Sequence, residues 1–439
     1  MKPVKHKSND YVIQVRNSPD EVNAADWNEL LALQAEATPF MRHEYLSALH
    51  ASAAAIPATG WTPRFITMAR GGVLLAACAL YLKTHSYGEY VFDRAWANAY
   101  AQNGLDYYPK ALVAVPFTPV PGARLLARSA ADRTLLAKAL IQWCEAQQLS
   151  SLHLLFASAD DLQACTEAGM LLRHTVQFHW KNVAPTLVTA CATLPPKGAV
   201  SPWGGPAAKL SPTLPARPYV DFEDFLASLS QDKRKKIRQE RRKVADAGVR
   251  FRCKQGTAIN EQDWDFFYRC YERTYLEHGN PPYLNRDFFQ RMASTMPENW
   301  LLFVAEREGR PIAASLIAVQ GETGPSASSL SSLGLERVAY GRYWGALERV
   351  DCLHFEACYY QPLQWCIAHG YHRFEGGAQG EHKMARALLP VKASSAHWLA
   401  HPAFADAVER FLEQETQGVE HYLDELGQRS PIKHHAVAR

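Results

Sequence analysis

The sequence contains no run of eighteen apolar residues. Its best candidate, VLLAACALYL at residues 73–82, stops at Lys83 after ten positions, a length that suits a buried strand rather than a bilayer span. It also lacks any C-x-x-C pair, its nine cysteines being scattered from Cys78 to Cys366. That scatter argues against a disulfide framework and reads as the reduced thiols of a soluble cytoplasmic protein. The basic start, MKPVKHKSND, is followed by no apolar stretch, so no secretory signal is expected. G-x-x-x-x-G-K-[ST], a strand-linked G-x-G-x-x-G, H-E-x-x-H and G-x-S-x-G are all missing. A P-loop ATPase, a dinucleotide enzyme, a zincin and a serine hydrolase therefore lose their main signals. His153, His174 and His179 lack metal-ligand spacing, as does His354 between Cys352 and Cys358, and no metal site is expected.

What is present is an ordinary globular composition, 47% hydrophobic and 21% charged over 439 residues, with a net charge of +3. The length suits two or three domains of about 100–200 residues each. Residues 183–217 hold seven prolines, with Gly, Ala, Ser and Thr between them and few large apolar side chains. This segment reads as a linker or mobile loop. GETGPSASSLSS, at residues 321–332, reads as a long hairpin loop between two strands. Residues 1–182 and 218–439 then show one element order twice: helices, a strand hairpin (turning at Gly71-Gly72 and at Glu308-Gly309), then strand–helix–strand. The expected fold class is α/β (α+β), a tandem repeat with mixed, mainly antiparallel sheets flanked by helices.

Four segments are candidates for chemistry. KRKKIRQERRK, at residues 233–243 of a helix expected over 221–247, sets eight basic residues against one acid, Glu240. Arg234, Arg238, Arg241 and Arg242 fall on one helical face, which suits phosphates; the alternative is a solvated helix surface. In residues 340–361, a strand at 352–356 would put His354 and Glu356 on one face. Glu356 is the candidate general base for an amine, or else a paired structural carboxylate. For His354 taken alone the structural role is the stronger reading; beside Glu356 it counts as a catalytic candidate. Arg342, Tyr343, Trp344, Tyr359 and Tyr360 from this segment, with Tyr283 upstream, are substrate-binding candidates. In FEGGAQGEHKMAR (374–386), three glycines permit close backbone approach to a ligand, and Glu375, Gln379, Glu381, His382, Lys383 and Arg386 surround them. A tight turn feeding a surface loop is the alternative. Finally, His85, Ser86, Glu89, Asp93 and Trp96 in residues 84–100 are placed at the interface between the halves; His85 and Glu89 are counted as substrate contacts, and a structural role for the aromatics is as well supported.

Several strings also resemble a family. YLKTHSYGEYVFD, YYPK, AVPFTPVPGARLL, SSLHLLF and QFHW in the first half, and DKRKKIRQERRKV, GRYWG, LHFEACYYQ and FEGGAQGEHKMAR in the second, resemble the FemAB-like predicted N-acyltransferases, labelled peptidoglycan biosynthesis or recognition proteins. The resemblance implies two tandem domains of the GCN5-related N-acetyltransferase type. Fem-type relatives move an amino acid from aminoacyl-tRNA to an amine on a lipid-linked or nucleotide-linked peptidoglycan precursor. It therefore implies a small-molecule or precursor amine as acceptor, tRNA as a partner, and acyl-CoA or aminoacyl-tRNA as donor with no tightly bound cofactor. A [QR]-x-x-G-x-[GA] pyrophosphate loop, the acetyl-CoA signature, has no good copy: Gln255-Gly256 comes too early and QGETGP at 320–325 has its second glycine misplaced. That favours another activated donor. Backbone N–H groups or Lys383 would hold the oxyanion, and Arg234, Arg238 and Arg342 phosphate. The alternative is a non-catalytic module of the same fold that recognises a glycan, a peptide or a phosphorylated ligand.

Overall fold

The structure, a computed structural model, describes residues 11–184, 217–320, 336–378 and 380–433. The proline-rich segment and the 321–332 loop therefore lie outside the described residues, apart from the proline-rich segment's ends. Those ends meet: the Ala184 N–H donates to the Arg217 carbonyl at 2.7 Å, so the chain resumes where it left off.

The first half contributes β1 (Val12–Arg16), β2 (Trp61–Arg70), β3 (Val73–Lys83), β4 (Lys110–Val113), β5 (Leu126–Ala127), β6 (Ser151–Leu154) and β7 (Leu171–Lys181). The second contributes β8 (Val249–Gln255), β9 (Trp300–Arg307), β10 (Arg310–Val319), β11 (Val338–Ala346), β12 (Arg373–Ala378) and β13 (Leu389–Leu399). All thirteen join one sheet, in the order β1-β2-β3-β4-β6-β13-β7-β12-β11-β10-β9-β8, with β5 on β3. Each half has an antiparallel hairpin, a parallel pair (β4 with β6, β11 with β12) and a closing strand. The closing strands are exchanged. β13 from the end of the chain pairs with β6, and β7 pairs with β12. The two also pair with each other, from Leu389 opposite His179 to His397 opposite Leu171. One sheet thus crosses both halves without a break.

Helices cover it: α1 (Ala24–Ala32), α2 (His43–Ala51), α3 (Arg94–Gln102), α4 (Ala130–Ala146), α5 (Ala159–Glu167), α6 (Phe222–Ser228), α7 (Gln231–Asp246), α8 (Glu261–Glu277), α9 (Arg286–Thr295), α10 (Gln361–Ala368) and α11 (Pro402–Gln428). Side-chain caps start several of them, with Asn23, Ser129, Ser158, Asn260 and Asn285 each accepting from a first-turn N–H. A shared core ties the halves: Phe40 meets Tyr340 edge-on at 5.3 Å and Tyr45 meets Phe288 at 5.3 Å.

Two expected elements differ. The helix expected over 221–247 breaks at Leu229, whose extended backbone bridges Ile432 while the Ser230 N–H donates to Pro431 at 2.9 Å; strand-like pairing with the chain's end outcompetes helix continuation. The strand expected at 352–356 is a helical turn, Leu353–Phe355, running into a π-helical turn, Glu356–Tyr360, and then α10. Leu353, Ala357, Tyr360, Leu363 and Ile367 are all buried, a spacing of three and four that belongs to a helix. The short alternation within LHFEA hid it.

Candidate active site

Where β11 and β12 part after Tyr340 and Glu375, the backbones diverge, and a cleft of about 1130 Å³ opens between the halves. Its walls come from the loop after β3 (His85 to Arg94), the segment after β4 (Phe117, Pro119), β7, α8, the end of β11, the glycines of β12 and α11. Open sheets place ligand sites beyond the carboxyl ends of parallel strands for this reason: strands that part leave a crevice.

Arg342 reaches this cleft from β11, and its Nη2 donates to the Phe117 carbonyl at 2.9 Å. Burial opposes its charge, but the hydroxyls of Tyr343, Tyr45 and Tyr90 outweigh burial and raise its pKa. Tyr271, Tyr275 and Tyr283 complete an aromatic wall, Tyr283 stacking on Phe117 at 4.8 Å. A guanidinium fixed among hydroxyls and rings has the chemistry to hold an anion between aromatic sides.

A second polar station lies on the same loop. Lys110 is fully buried and donates to Ser86 Oγ at 2.8 Å, to Glu89 at 2.7 Å and to Asp93. Burial works against its charge and the two carboxylates more than restore it. Asp93 is desolvated too, but Lys110 holds it well below the usual carboxylate range, whereas burial pushes Glu89 up to about 7. Lys83, stacked on Trp61 at 3.6 Å, is pushed down to about 7 by burial. From Asp93 the hydrogen bonds continue through the Tyr107 hydroxyl to His153 and on to His397.

The structure separates the residues singled out from the sequence. Tyr283, Arg342, Tyr343 and His85 line the cleft; Glu89 sits behind it on Lys110. His85 Nδ1 accepts from the Tyr87 N–H at 3.2 Å, and burial lowers the ring's pKa. Trp344 alternates to the other sheet face and meets His354 at 5.5 Å. His354, Tyr359, His382 and Lys383 form a separate cluster, in which the Tyr359 hydroxyl and His382 Nε2 are 3.3 Å apart. Burial draws His354 down to about 4 and Lys383 to about 8, and lowers His382. Lys383 Nζ donates to Gly377, whose backbone is in the cleft wall, at 3.1 Å. Glu375 lies buried between Arg373 and His179, raised to about 7 by burial. Gln379 lies outside the described residues.

The basic helix is partly neutralised, against the expectation drawn from its own sequence. Arg241 makes a bidentate pair with Glu356, Arg238 pairs with Glu223, Lys243 with Asp351, and Glu240 is gripped by buried Arg386 and by the Tyr360 hydroxyl. The acids come from other elements, which a local charge count does not register. Arg234 lies half-buried on α7. Glu356 also accepts from Gln361 at 2.7 Å, so its oxygens are spent away from the cleft. Glu381 faces outward to Tyr422 and Arg429. Sequence reasoning passed over Tyr90, Tyr108, Lys110, Arg173 and Glu415. Lys110 in the strand KALV was the one visible clue, a charge where every neighbour is apolar; Arg173 and Glu415 pair at 2.8 Å across 242 positions and gave none.

The architecture is a tandem α/β repeat on one continuous mixed sheet, each half with an antiparallel hairpin and a parallel strand pair. The sequence model of the FemAB-like family, described as peptidoglycan biosynthesis/recognition, matches residues 18–186 and 213–434, and the chain belongs to that family. Among solved structures it is similar to FemX (9% identity, 88% of this chain and 98% of that one, TM-score 0.49) and to L-PGS from Bacillus licheniformis (11% identity, 91% and 99%, TM-score 0.47). At these values neither neighbour bears on the chemistry of the cleft. Over 30 residues, 7% of the chain, it is 63% identical to the UDP-N-acetylglucosamine–N-acetylmuramyl-(pentapeptide) pyrophosphoryl-undecaprenol N-acetylglucosamine transferase of Albidiferax ferrireducens, of which it spans 8%.

Proposed function

We propose that the chain is an acyltransferase that moves an acyl or aminoacyl group from an activated ester to an amine, and that the cleft around Arg342 is where it does so. The observation that carries this is the charged Arg342 at the parting of β11 and β12, caged by tyrosine hydroxyls in a cavity of about 1130 Å³. A cavity of that size takes a donor and an acceptor side by side, and catalysis by positioning requires both to be held. Arg342 anchors the anionic part of the donor. Gly376 and Gly377 bring bare backbone to the reacting carbonyl, with Lys383 holding that turn from behind. The carboxylates in the wall are poor bases: Asp93 is tied to Lys110, and Glu415 to Arg173. The amine therefore loses its proton to solvent rather than to Glu356, and rate comes from orientation and from stabilising the tetrahedral oxyanion. Membership of a family described as peptidoglycan biosynthesis/recognition supports an acceptor amine on a peptidoglycan precursor; aminoacyl-tRNA as the donor rests on the resemblance to Fem-type proteins.

The test is purified full-length protein given charged tRNAs or acyl-CoAs with a panel of amines, products being read by mass spectrometry. Transfer from one donor class is the expected result. Ligand binding without turnover under every donor would replace the reading with a recognition module.

A further inference from the structure

Lys110 is the only charged residue of β4, KALV, and its ammonium group is fully buried behind the cleft wall. It holds three points of one loop: Ser86 Oγ at 2.8 Å, Glu89 Oε2 at 2.7 Å, and Asp93 Oδ2. That loop joins β3 to α3 and lines one side of the cleft between His85 and Arg94. Its shape runs against local preference. Tyr90 has a φ of +62°, in the left-handed region that a bulky side chain rarely adopts. Such a backbone persists only where its surroundings fix it. Here they do, since Glu89 on one side and Asp93 on the other are bonded to the same Nζ.

From this loop, contacts reach Arg342 by two routes. The Gly88 carbonyl accepts from the Phe117 N–H at 3.2 Å, and the Phe117 carbonyl accepts from Arg342 Nη2 at 2.9 Å. One residue therefore connects the loop to the guanidinium. Gly88 also lies so close to the Phe117 ring that a Cβ there would be 2.7 Å from it. By the second route, the Tyr90 hydroxyl is one of three that favour the charge on Arg342. We infer that Lys110 is a positioning residue of the cleft, its three-way grip fixing the loop so that Phe117 and Tyr90 hold Arg342 in place for an anionic ligand. Its bearing on turnover rests on the proposed acyl transfer; the grip itself does not. A buried ammonium between two carboxylates could instead serve stability alone, which would leave Arg342 as it is in any variant that folds.

Phenylglyoxal labelling of arginines, followed by peptide mass spectrometry, separates the two roles in the full-length wild type, Lys110→Met and Glu89→Gln, each kept below its unfolding transition. Arg342 is expected to label at least about fivefold faster in Lys110→Met, through local opening of the loop, and to a smaller extent faster in Glu89→Gln. Arg386, 3% exposed and held by Glu240, is the internal reference and should keep its wild-type rate. In Lys110→Ala, propylammonium replaces the missing three-carbon amine and should restore slow labelling, whereas sodium chloride at the same ionic strength should not. With the donor and amine that the wild type uses, Lys110→Met should lose at least about tenfold in kcat/KM, and adding Arg342→Met should cost little more, because both changes act on one group. Unchanged Arg342 labelling in the folded variants overturns the inference, and so does faster labelling with kcat/KM intact. If the wild type transfers nothing from any donor, the proposed acyl transfer fails, and the labelling alone still decides whether Lys110 holds the wall.

Discussion

At the scale of single residues, the cleft and the basic helix show how position decides what a charge does. Arg386 had the composition of a ligand contact, yet it is 3% exposed and grips Glu240 with 2.8 and 2.9 Å bonds while lying over Phe355 at 3.6 Å. Removing one member of such a pair strands the other charge in the interior, so Arg386→Met should cost about 3–5 kcal/mol in urea unfolding. The nearly exposed Arg238–Glu223 pair has the same chemistry and should be worth about 0–1 kcal/mol, a contrast that equilibrium unfolding of Arg238→Met would expose. Glu356 could be singled out in the sequence, but its partner could not: Arg241 lies 115 positions away. Arg342 and its neighbour Tyr343 were legible in the string GRYWG, whereas Tyr45 and Tyr90, which join Tyr343 around it, come from α2 and from the loop after β3. Local strings announce a functional side chain more readily than the neighbours that set its protonation.

At the scale of elements, hairpins and capped helices were readable because their signals are local. Gly71-Gly72 and Glu308-Gly309 sit at the hairpin turns, each with positive φ, where they were expected. The helical turn at 353–355 was missed since five alternating residues mimic a strand, and the burial that reveals the helix continues to Ile367. Gly345 gives an element-scale prediction. A Cβ there would lie 1.9 Å from the Cys270 carbonyl oxygen, so α8 rests directly on β11 at this point. Gly345→Ala should push the helix outward and destabilise the fold by at least about 1–3 kcal/mol, measurable as a fall in the urea midpoint. The ring wall formed by Tyr271 and Tyr275 would move with α8, so a ligand of the cleft should also bind more weakly.

At the scale of the whole molecule, the exchange of β7 and β13 makes the two halves one sheet, which no reading of element order within either half contains. The exchange is locked by paired buried imidazoles: His153 on β6 lies opposite His397 on β13, their Nδ1 atoms 2.7 Å apart. Lys110, Asp93 and Arg173 face them. Burial holds both neutral, drawing His397 down to about 3 and His153 well below its usual range. In the unfolded chain each takes up a proton near its ordinary value of about 6.5. Below that pH the unfolded state binds more protons, so stability falls as pH drops through about 6.5 and continues to fall towards the folded value. From pH 6.5 to 5 the loss for His397 alone is about 2 kcal/mol, at about 1.4 kcal/mol per unit. Urea midpoints at pH 7.5 and 5 should therefore separate clearly in the native chain and less in His397→Asn. Equal separation in both would remove the imidazole pair as the cause.

The proposed acyl transfer is assigned to the cleft at Arg342, and not to Glu356 or to the cluster of His354, Tyr359, His382 and Lys383. One assay compares Arg342→Met with Glu356→Gln, both checked for folding, under the donor and amine that the native chain uses. Loss of a charge-assisted anchor costs about 2–5 kcal/mol, so Arg342→Met should lose at least tenfold in kcat/KM. Glu356→Gln, whose position serves Arg241 and Gln361, should retain activity. An inactive Glu356→Gln beside a fully active Arg342→Met would place the chemistry at Glu356 instead.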